Sequence, residues 1–251
     1  MRILIANDDG IEAEGLQALA KALAGQHEVV LAAPARQQSG MAHALTVHSD
    51  IEAAQYKDLE DMGITGWKID GTPTDCVKLY LEALCEKDKK PDLVLSGINQ
   101  GANLGSDVLY SGTVGAAMEG YMHGIFSIAV SLDFFSKMKF SEAAAIFANE
   151  LPKLMEREAE PAFLNVNFPQ ILAEGEPKFV YGSVGHRDYL NAFERIERDG
   201  KLFFHVGGEI YDGYNAMDSD ISICNHGRIA VSPLMIDMTD YEALKKYREN
   251  D

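Results

Sequence analysis

Short, largely apolar runs recur along the first two-thirds of this chain, each separated from the next by polar or helical sequence. They are Ile3-Leu4-Ile5-Ala6, "HEVVLAAP" (His27 to Pro34), "PDLVLSGIN" (Pro91 to Asn99), "FSIAVSL" (Phe126 to Leu132) and "FLNVNFP" (Phe163 to Pro169). Runs of this length without polar alternation read as strands covered on both faces. Between them lie segments with helical spacing. Gly15 to Ala24 carries Leu16, Leu19, Ala20 and Leu23 on one face, with Gly25 placed to stop the helix. "DGTPTDCVKLYLEAL" offers Thr72 as a cap, Pro73 at the first helical position and Asp75 for the N-terminal dipole. A third helix is expected from about Thr113, with Ser111 near its start and Gly124 at its end. A fourth is expected over Ser141 to Glu158, with Pro152 as a kink. The alternation predicts an α/β fold: a mostly parallel sheet with helices on both faces.

In such sheets ligands bind beyond the carboxyl ends of the strands. The polar clusters fall there: Asn7-Asp8-Asp9 after the first run, Ser39-Gly40 in the loop after the second, and Ser96-Gly97-Ile98-Asn99 after the third. Asp8 and Asp9 are adjacent like charges at the end of a buried strand. Either they form a solvated turn or they belong to a cation. As carboxylates they are hard-cation ligands, and Ser39 and Asn99 add neutral oxygens. Oxygen-only ligation suits Mg²⁺ or Mn²⁺ rather than zinc.

"SGINQGANLGSDVLYSGTVGAAMEG" (Ser96 to Gly120) is rich in glycine. Gly97, Gly101 and Gly105 allow backbone to approach a ligand closely. Ser111, Gly112 and Thr113 sit where a helix begins, so their N–H groups and hydroxyls make an anion site, to which Asn99 and Asn103 add amides. Capping and tight packing account for the same residues structurally. There is no G-x-x-x-x-G-K-[ST] motif, and no G-x-G-x-x-G follows the first run. That speaks against a P-loop and against dinucleotide binding. The histidines are scattered; His186-Arg187, in a glycine-containing loop, is the pair best able to reach a site.

The pattern changes after about residue 170. "AFERIERDGKLFFHVGG" reads as a hairpin turning at Asp199-Gly200. Arg228 to Ile236 reads as a strand and Asp240 to Arg248 as a last short helix. Residues 1–169 are therefore expected to form the core, and 170–251 an extension used in assembly.

The formal net charge of −17 argues against nucleic-acid polymers and anionic membranes as partners. No stretch approaches the ~18 apolar residues of a membrane span. The first residues hold one Arg, a short apolar run and then acids, unlike a signal peptide. Three cysteines, Cys76, Cys85 and Cys224, make a poor disulfide framework and fit a reducing compartment. A cytoplasmic location is the expectation.

"MRILIANDDGI", "QQSGMAHALT", "DGTPTDCVKLYL", "PDLVLSGINQGANLGSDVLYSGTVGAAMEG" and "NVNFP" together resemble the SurE family, the stationary-phase survival protein nucleotidases. The likeness runs in order over residues 1 to 169. It is weaker in "SDISICNHGRIAVSPLMIDMT" (Ser219 to Thr239), and residues 170 to 218 depart from the family's pattern. The resemblance implies a Rossmann-like core with a C-terminal extension exchanged between subunits of a homodimer or homotetramer. It implies a divalent-metal-dependent phosphatase acting on nucleoside 5′- and 3′-monophosphates, with some members acting on short polyphosphate. The family's metal ligands fall on Asp8, Asp9, Ser39 and Asn99, and its phosphate contacts on Asn103, Ser111, Gly112 and Thr113. Asp8 and Asp9 are the expected catalytic pair: an aspartate either activates water or attacks directly as a nucleophile, and a water activated beside Asp8 is the route preferred.

Two other arrangements are weighed against this. Haloacid-dehalogenase-like phosphatases need D-x-D, whereas these aspartates are adjacent. A receiver-like Mg²⁺-binding signalling module without turnover also carries an acidic pair, but needs a phosphoacceptor Asp after the third strand. This chain has Ser96-Gly97-Ile98-Asn99 there.

Overall fold

Alternation of side chains along the first strand explains why it can be apolar throughout. In the computed structural model, which describes residues 1–156 and 161–249, β1 spans Arg2–Ala6. Ile3 and Ile5 enter one buried cluster and Leu4 and Ala6 enter another, on the opposite face of the sheet. Helix α1 (Glu14–Ala24) buries Leu16, Leu19, Ala20 and Leu23, as its spacing predicts. It ends at Gly25, which takes a right-handed conformation (φ −70°) rather than the left-handed one that favours glycine. β2 (Glu28–Pro34) follows.

Before residue 170, two strands escape the sequence reading: β3 (Ala53–Tyr56) and β4 (Thr65–Ile69). Both are short and carry exposed residues, so neither shows an apolar run. Helix α2 (Pro73–Leu79) starts with a reciprocal capping box. Thr72 accepts the Asp75 N–H, and the Asp75 carboxylate accepts the Thr72 N–H. β5 (Leu93–Gln100) leads through a glycine-rich loop to α3 (Gly112–Met122), capped by Ser111. β6 (Phe126–Leu132), α4 (Phe140–Glu156) and β7 (Phe163–Phe168) complete the expected alternation. Helix α4 carries Pro152 within it and is helical to Glu156; the expected last turn at 157–158 lies outside the described residues.

β8 (Phe179–Tyr181), β9 (Asp188–Leu190), β10 (Phe193–Arg198), β11 (Lys201–Val206) and β12 (Glu209–Tyr211) follow. Then come α5 (Asp220–Asn225), β13 (Ile229–Leu234) and α6 (Tyr241–Glu249). The main sheet has nine strands in the order β3-β4-β2-β1-β5-β6-β7-β13-β8. β4, β2, β1, β5, β6 and β7 are mutually parallel, while β3 and β13 run antiparallel to β4 and β7. Helices α1 and α4 pack together on one face, α2 and α3 on the other. β1 and β5 are neighbours, pairing Ala6 with Ser96. From β1 the chain goes on to β2 on one side, and from β5 to β6 on the other. This is the switch point at which an open α/β sheet forms its crevice.

The chain leaves the sheet after β7, near the expected boundary at 169, but it returns. β13 pairs with β7 through Ala230–Asn167 and Val231–Val166, and β8 pairs with β13. Ile229 and Val231 thereby join the cluster around Ile5 and Phe147. Strands β9 to β12 lie outside this sheet, in two two-stranded sheets, β10-β11 and β12-β9. β10 and β11 form the expected hairpin, with Asp199 and Gly200 both at positive φ (51° and 68°), the conformation a two-residue turn requires. Phe193, Leu202, Phe204 and Val206, on one side of it, are 50–70% exposed. Cys76 and Cys224 are buried thiols and Cys85 is half-buried; all three are free.

Candidate active site at the carboxyl ends of β1 and β5

The alternation of β1 continues into Asp8 and Asp9 and sends them to different surroundings. Asp8 follows Leu4 and Ala6 toward the α2–α3 face. It is 4% exposed, and Thr113 of α3 donates its hydroxyl hydrogen to Asp8 Oδ1. Burial pushes the Asp8 carboxyl up to about 6. The neighbouring Asp9 charge adds to the rise, while the Thr113 hydroxyl and main-chain N–H oppose it. Asp9 is half-buried on the other side. The Gln100 N–H donates to its Oδ2 (3.1 Å) and the Gln37 amide to its Oδ1 (3.3 Å). Burial raises its pKa too, and those two hydrogen bonds hold it back. Asn7 braces the turn by bonding both the N–H and the carbonyl of Gly10.

Asn99 is turned away from Ile98 because β5 breaks its own alternation. Leu93 and Leu95 face the α1–α4 cluster, and so does Ile98, out of step with them. A register shift between Gly97 and Asn99 against β6 accounts for this, and Asn99 falls on the opposite side from Ile98. Gly97 sits at φ 138°, and a Cβ there would lie 2.2 Å from the Val130 carbonyl oxygen, so only glycine fits. The Asn99 amide nitrogen donates to the Gly101 carbonyl (2.8 Å), which leaves the amide oxygen as its free end. Ser39 lies in an exposed turn just past Gln38, whose N–H donates to the Asp8 carbonyl (2.7 Å). That bond brings the Ser39 loop beside Asp8.

The start of α3 serves Asp8 directly. Gly112 has no room for a side chain: a Cβ would meet Asp8 Cβ at 2.9 Å and Pro73 Cγ at 3.1 Å. Ser111 accepts the Val114 N–H (3.1 Å), so its own hydroxyl hydrogen remains available to an anion. Thr113 departs from the sequence expectation, because its hydroxyl hydrogen is given to Asp8 rather than left for a phosphate oxygen.

Asn103 is likewise occupied. Its N–H donates to Asn167 Oδ1, and its carbonyl accepts from the amides of Asn165 and Asn167. Its own amide nitrogen donates to the Ser131 hydroxyl (2.9 Å). One amide hydrogen is left over for a ligand. All four residues are buried, so this network stitches the glycine-rich loop to the sheet. The spacing Asn165-x-Asn167 on β7, two amides on one face of a buried strand, was the sequence signal for it. From the other side Asp220, fully buried, accepts the N–H groups of Gly105, Gly185 and Ile221. Arg187 does not reach the site: its guanidinium is held by Asp107 (3.0 Å) and Asp212 (3.3 Å).

The donors at the sheet switch point fit a divalent ion: two carboxylates, an amide oxygen and a hydroxyl, without sulfur or imidazole. Among the described residues, no Lys, Arg or His offsets either carboxylate. A second cluster, Glu82, Glu119 and His123, gathers ligand-type atoms within 4.8 Å of one another on the α2–α3 side. There Lys78 already bridges Glu82 (2.7 Å) and Glu119 (3.2 Å), and His43 takes the other Glu119 oxygen (2.8 Å). An ammonium fills the place a metal would take.

A family model described as survival protein SurE matches residues 3–191. A protein of Pelotomaculum thermopropionicum named 5′-nucleotidase SurE is 40% identical over 259 residues, covering 99% of this chain and 95% of that protein. One of the same name from Thermosynechococcus vestitus is 44% identical over 247 residues, covering 95% and 92%. The crystal structure of the SurE protein from Aquifex aeolicus matches with a TM-score of 0.82 at 36% identity. It covers 99% of this chain and all of that one.

Proposed function

Because this chain belongs to the SurE family, we propose that it is a divalent-metal-dependent phosphomonoesterase releasing inorganic phosphate from nucleoside 5′-monophosphates, and also from 3′-monophosphates. It is an enzyme of the 5′-nucleotidase type, a phosphoric monoester hydrolase. The observation that carries the reading is the Asp8-Asp9 pair at the carboxyl end of β1, with Asp8 against the start of α3 and Asp9 held by Gln100 at the end of the adjacent β5. Asp8, Asp9, Asn99 and Ser39 would hold one Mg²⁺ or Mn²⁺ ion per subunit. When bound, the ion supplies Lewis acidity to a phosphoryl oxygen.

The chain's own groups do the rest. Ser111 donates its hydroxyl hydrogen to a phosphoryl oxygen. The Gly112 N–H, at the start of α3, and the remaining amide hydrogen of Asn103 add donors where charge develops. Thr113 holds Asp8 Oδ1, which keeps the carboxylate in one orientation. Asp8 accepts the proton of the attacking water, and Asp9 is kept in place by Gln37 and Gln100. The exposed apolar side of the β10–β11 hairpin supports assembly into a homodimer or homotetramer. Among the described residues no helix is long and apolar enough to cross a membrane.

Phosphate release from AMP, with Mg²⁺, Mn²⁺ or EDTA, is the test. Asp8→Asn is expected to keep the fold and lose turnover. Activity near wild type in that variant, or equal rates in EDTA and Mn²⁺, would sink the reading.

A further inference from the structure

Glu119 of α3 is a buried carboxylate that the proposed reaction does not use. Its side chain is 3% exposed, and three nitrogen-bearing side chains face it: His43 Nε2 at 2.8 Å, Lys78 Nζ at 3.2 Å and His123 Nδ1 at 3.5 Å. Burial raises its pKa, but the His43 and Lys78 contacts outweigh that rise and hold the carboxyl below its ordinary value. An ionised acceptor makes His43 the donor of their bond. A buried charge is costly unless its partners are held in place. Lys78 belongs to α2, and His123 closes the end of α3, two helices that pack together. His43 alone of the three stands on the loop that carries Ser39.

That loop is laid along one face of α3. Gly112, Gly115 and Glu119 are spaced i, i+3 and i+7, so they share a face of the helix. Gly112 lies against Asp8. At Gly115 a Cβ would lie 2.2 Å from the Ala42 carbonyl oxygen, so the loop main chain rests directly on the helix there. Glu119, one turn further on, takes His43. The Ala42 N–H donates to the Tyr110 carbonyl (3.0 Å), and Ala42 is held at φ 52°, a left-handed conformation uncommon for a residue with a Cβ. Further along, the Thr72 hydroxyl donates to the Ala44 carbonyl (2.7 Å), and Thr46 gives its N–H and hydroxyl to Asp75. At the near end the Gln38 N–H donates to the Asp8 carbonyl (2.7 Å). Ser39 and Gly40 are exposed between these ends. Their place relative to Asp8 is therefore set by two attachments, Gln38 on Asp8 and Ala42-His43 on α3. The same helix holds Asp8 through Thr113.

We propose that His43 and Glu119 are positioning residues of the metal site: their bond seats the Ser39 loop on α3, so that the Ser39 hydroxyl and the Asp8 carboxylate are presented to one ion. The inference rests on the reading of Asp8 and Ser39 as metal ligands. It adds that α3 is the common support of both, holding Asp8 by its first turn and the Ser39 loop by its next two. His43 and Glu119 act through Ser39 and are not catalytic residues.

The test is Mn²⁺ binding to the substrate-free protein, followed by loss of the free-ion signal in electron paramagnetic resonance. His43→Ala is expected to raise Kd for Mn²⁺ by about tenfold, the scale of losing a group that orients a ligand. His43→Gln, which keeps a side-chain donor, should recover most of that loss. In a Ser39→Ala background His43→Ala should cost nothing more, because both changes remove the same contribution. Lys78→Met takes another cation from Glu119 but leaves the loop attached, and should keep Kd within about twofold of wild type. If His43→Ala does not fold, Glu119→Gln, which keeps the shape and removes the charge, takes its place. An unchanged Kd in His43→Ala, losses that add in the double variant, or an equal loss in Lys78→Met would overturn the positioning role. Wild-type protein that binds no Mn²⁺, or Asp8→Asn that binds it as tightly, would instead overturn the metal-site reading. Amide exchange in EDTA then decides the positioning by itself. Exchange of the Gln38 and Ala42 N–H groups that is faster by about tenfold in His43→Ala supports it, and an unchanged rate refutes it.

Discussion

Asp8→Asn separates what the Asp8 carboxylate does for the reaction from what it costs the fold. In the metal-free protein, burial and the Asp9 charge lift Asp8 from 3.8 to about 6. At about 1.4 kcal/mol per pH unit, the two-unit rise amounts to about 3 kcal/mol. The sign follows from proton binding. Between pH ~4 and ~6 the folded state holds a proton that the unfolded state has lost, so stability falls as pH rises through that window. Above about pH 6 the whole penalty is present. Asparagine has no charge, and its amide oxygen still accepts the Thr113 hydroxyl. In EDTA at pH 7, Asp8→Asn should therefore be more stable than the wild type by about 3 kcal/mol, or roughly 6–12 °C in Tm for a chain of this size. Paired urea melts followed by circular dichroism at pH 4, 5, 6 and 7 measure the difference. It should shrink toward zero at pH 4. Adding Mn²⁺ at pH 7 should stabilise the wild type and leave the variant unmoved. A variant that is no more stable than the wild type at pH 7 in EDTA, or a difference that does not close at low pH, would refute the account of Asp8 as an uncompensated buried charge.

Gly112→Ala forces a Cβ to within 2.9 Å of Asp8 Cβ. It should cost about 1–3 kcal/mol in urea melts and lower kcat/KM by about tenfold or more, because α3 must back away from the carboxylate. Asp220→Ala strips the acceptor from the N–H groups of Gly105, Gly185 and Ile221. A loss of about 3–5 kcal/mol is expected, with Asp220→Asn intermediate, and wild-type stability in the alanine variant would contradict the anchoring role. Phe204→Ser with Val206→Ser removes apolar side chains that are 58% and 70% exposed. It should move the protein to a smaller species in light scattering while leaving the circular dichroism of the core unchanged; an unaltered mass would exclude the hairpin as the assembly surface.

Much of the fold is legible in local sequence. Ile3 to Ala6 must lie in a sheet covered on both sides, because nothing in the run is polar. Thr72 and Ser111 cap helices because each has a side-chain oxygen just ahead of a helical segment, and Asp199-Gly200 turns a hairpin because both residues tolerate positive φ. Period-two alternation even separates Asp8 from Asp9. The short strands β3 and β4 are not legible, since partly exposed four- and five-residue segments carry too few apolar positions to stand out.

The site divides in the same way. Acid, amide, hydroxyl and glycine at strand ends are local facts, and they identify the candidate ligands and the chemistry those ligands suit. Which atom each one meets is set by contacts far apart in the chain. The shift between Gly97 and Asn99 that turns Asn99 away from Ile98 exists only against β6. Thr113 gives its hydroxyl to Asp8 because α3 docks on glycine at Gly112, 105 residues from its partner in sequence. β13 returns beside β7 and brings Asp220 up to the loop that carries Asn103. Composition and periodicity determine which residues can be buried and which must face a ligand; only the packing of distant strands and helices decides which donor is left free once its neighbours have been served.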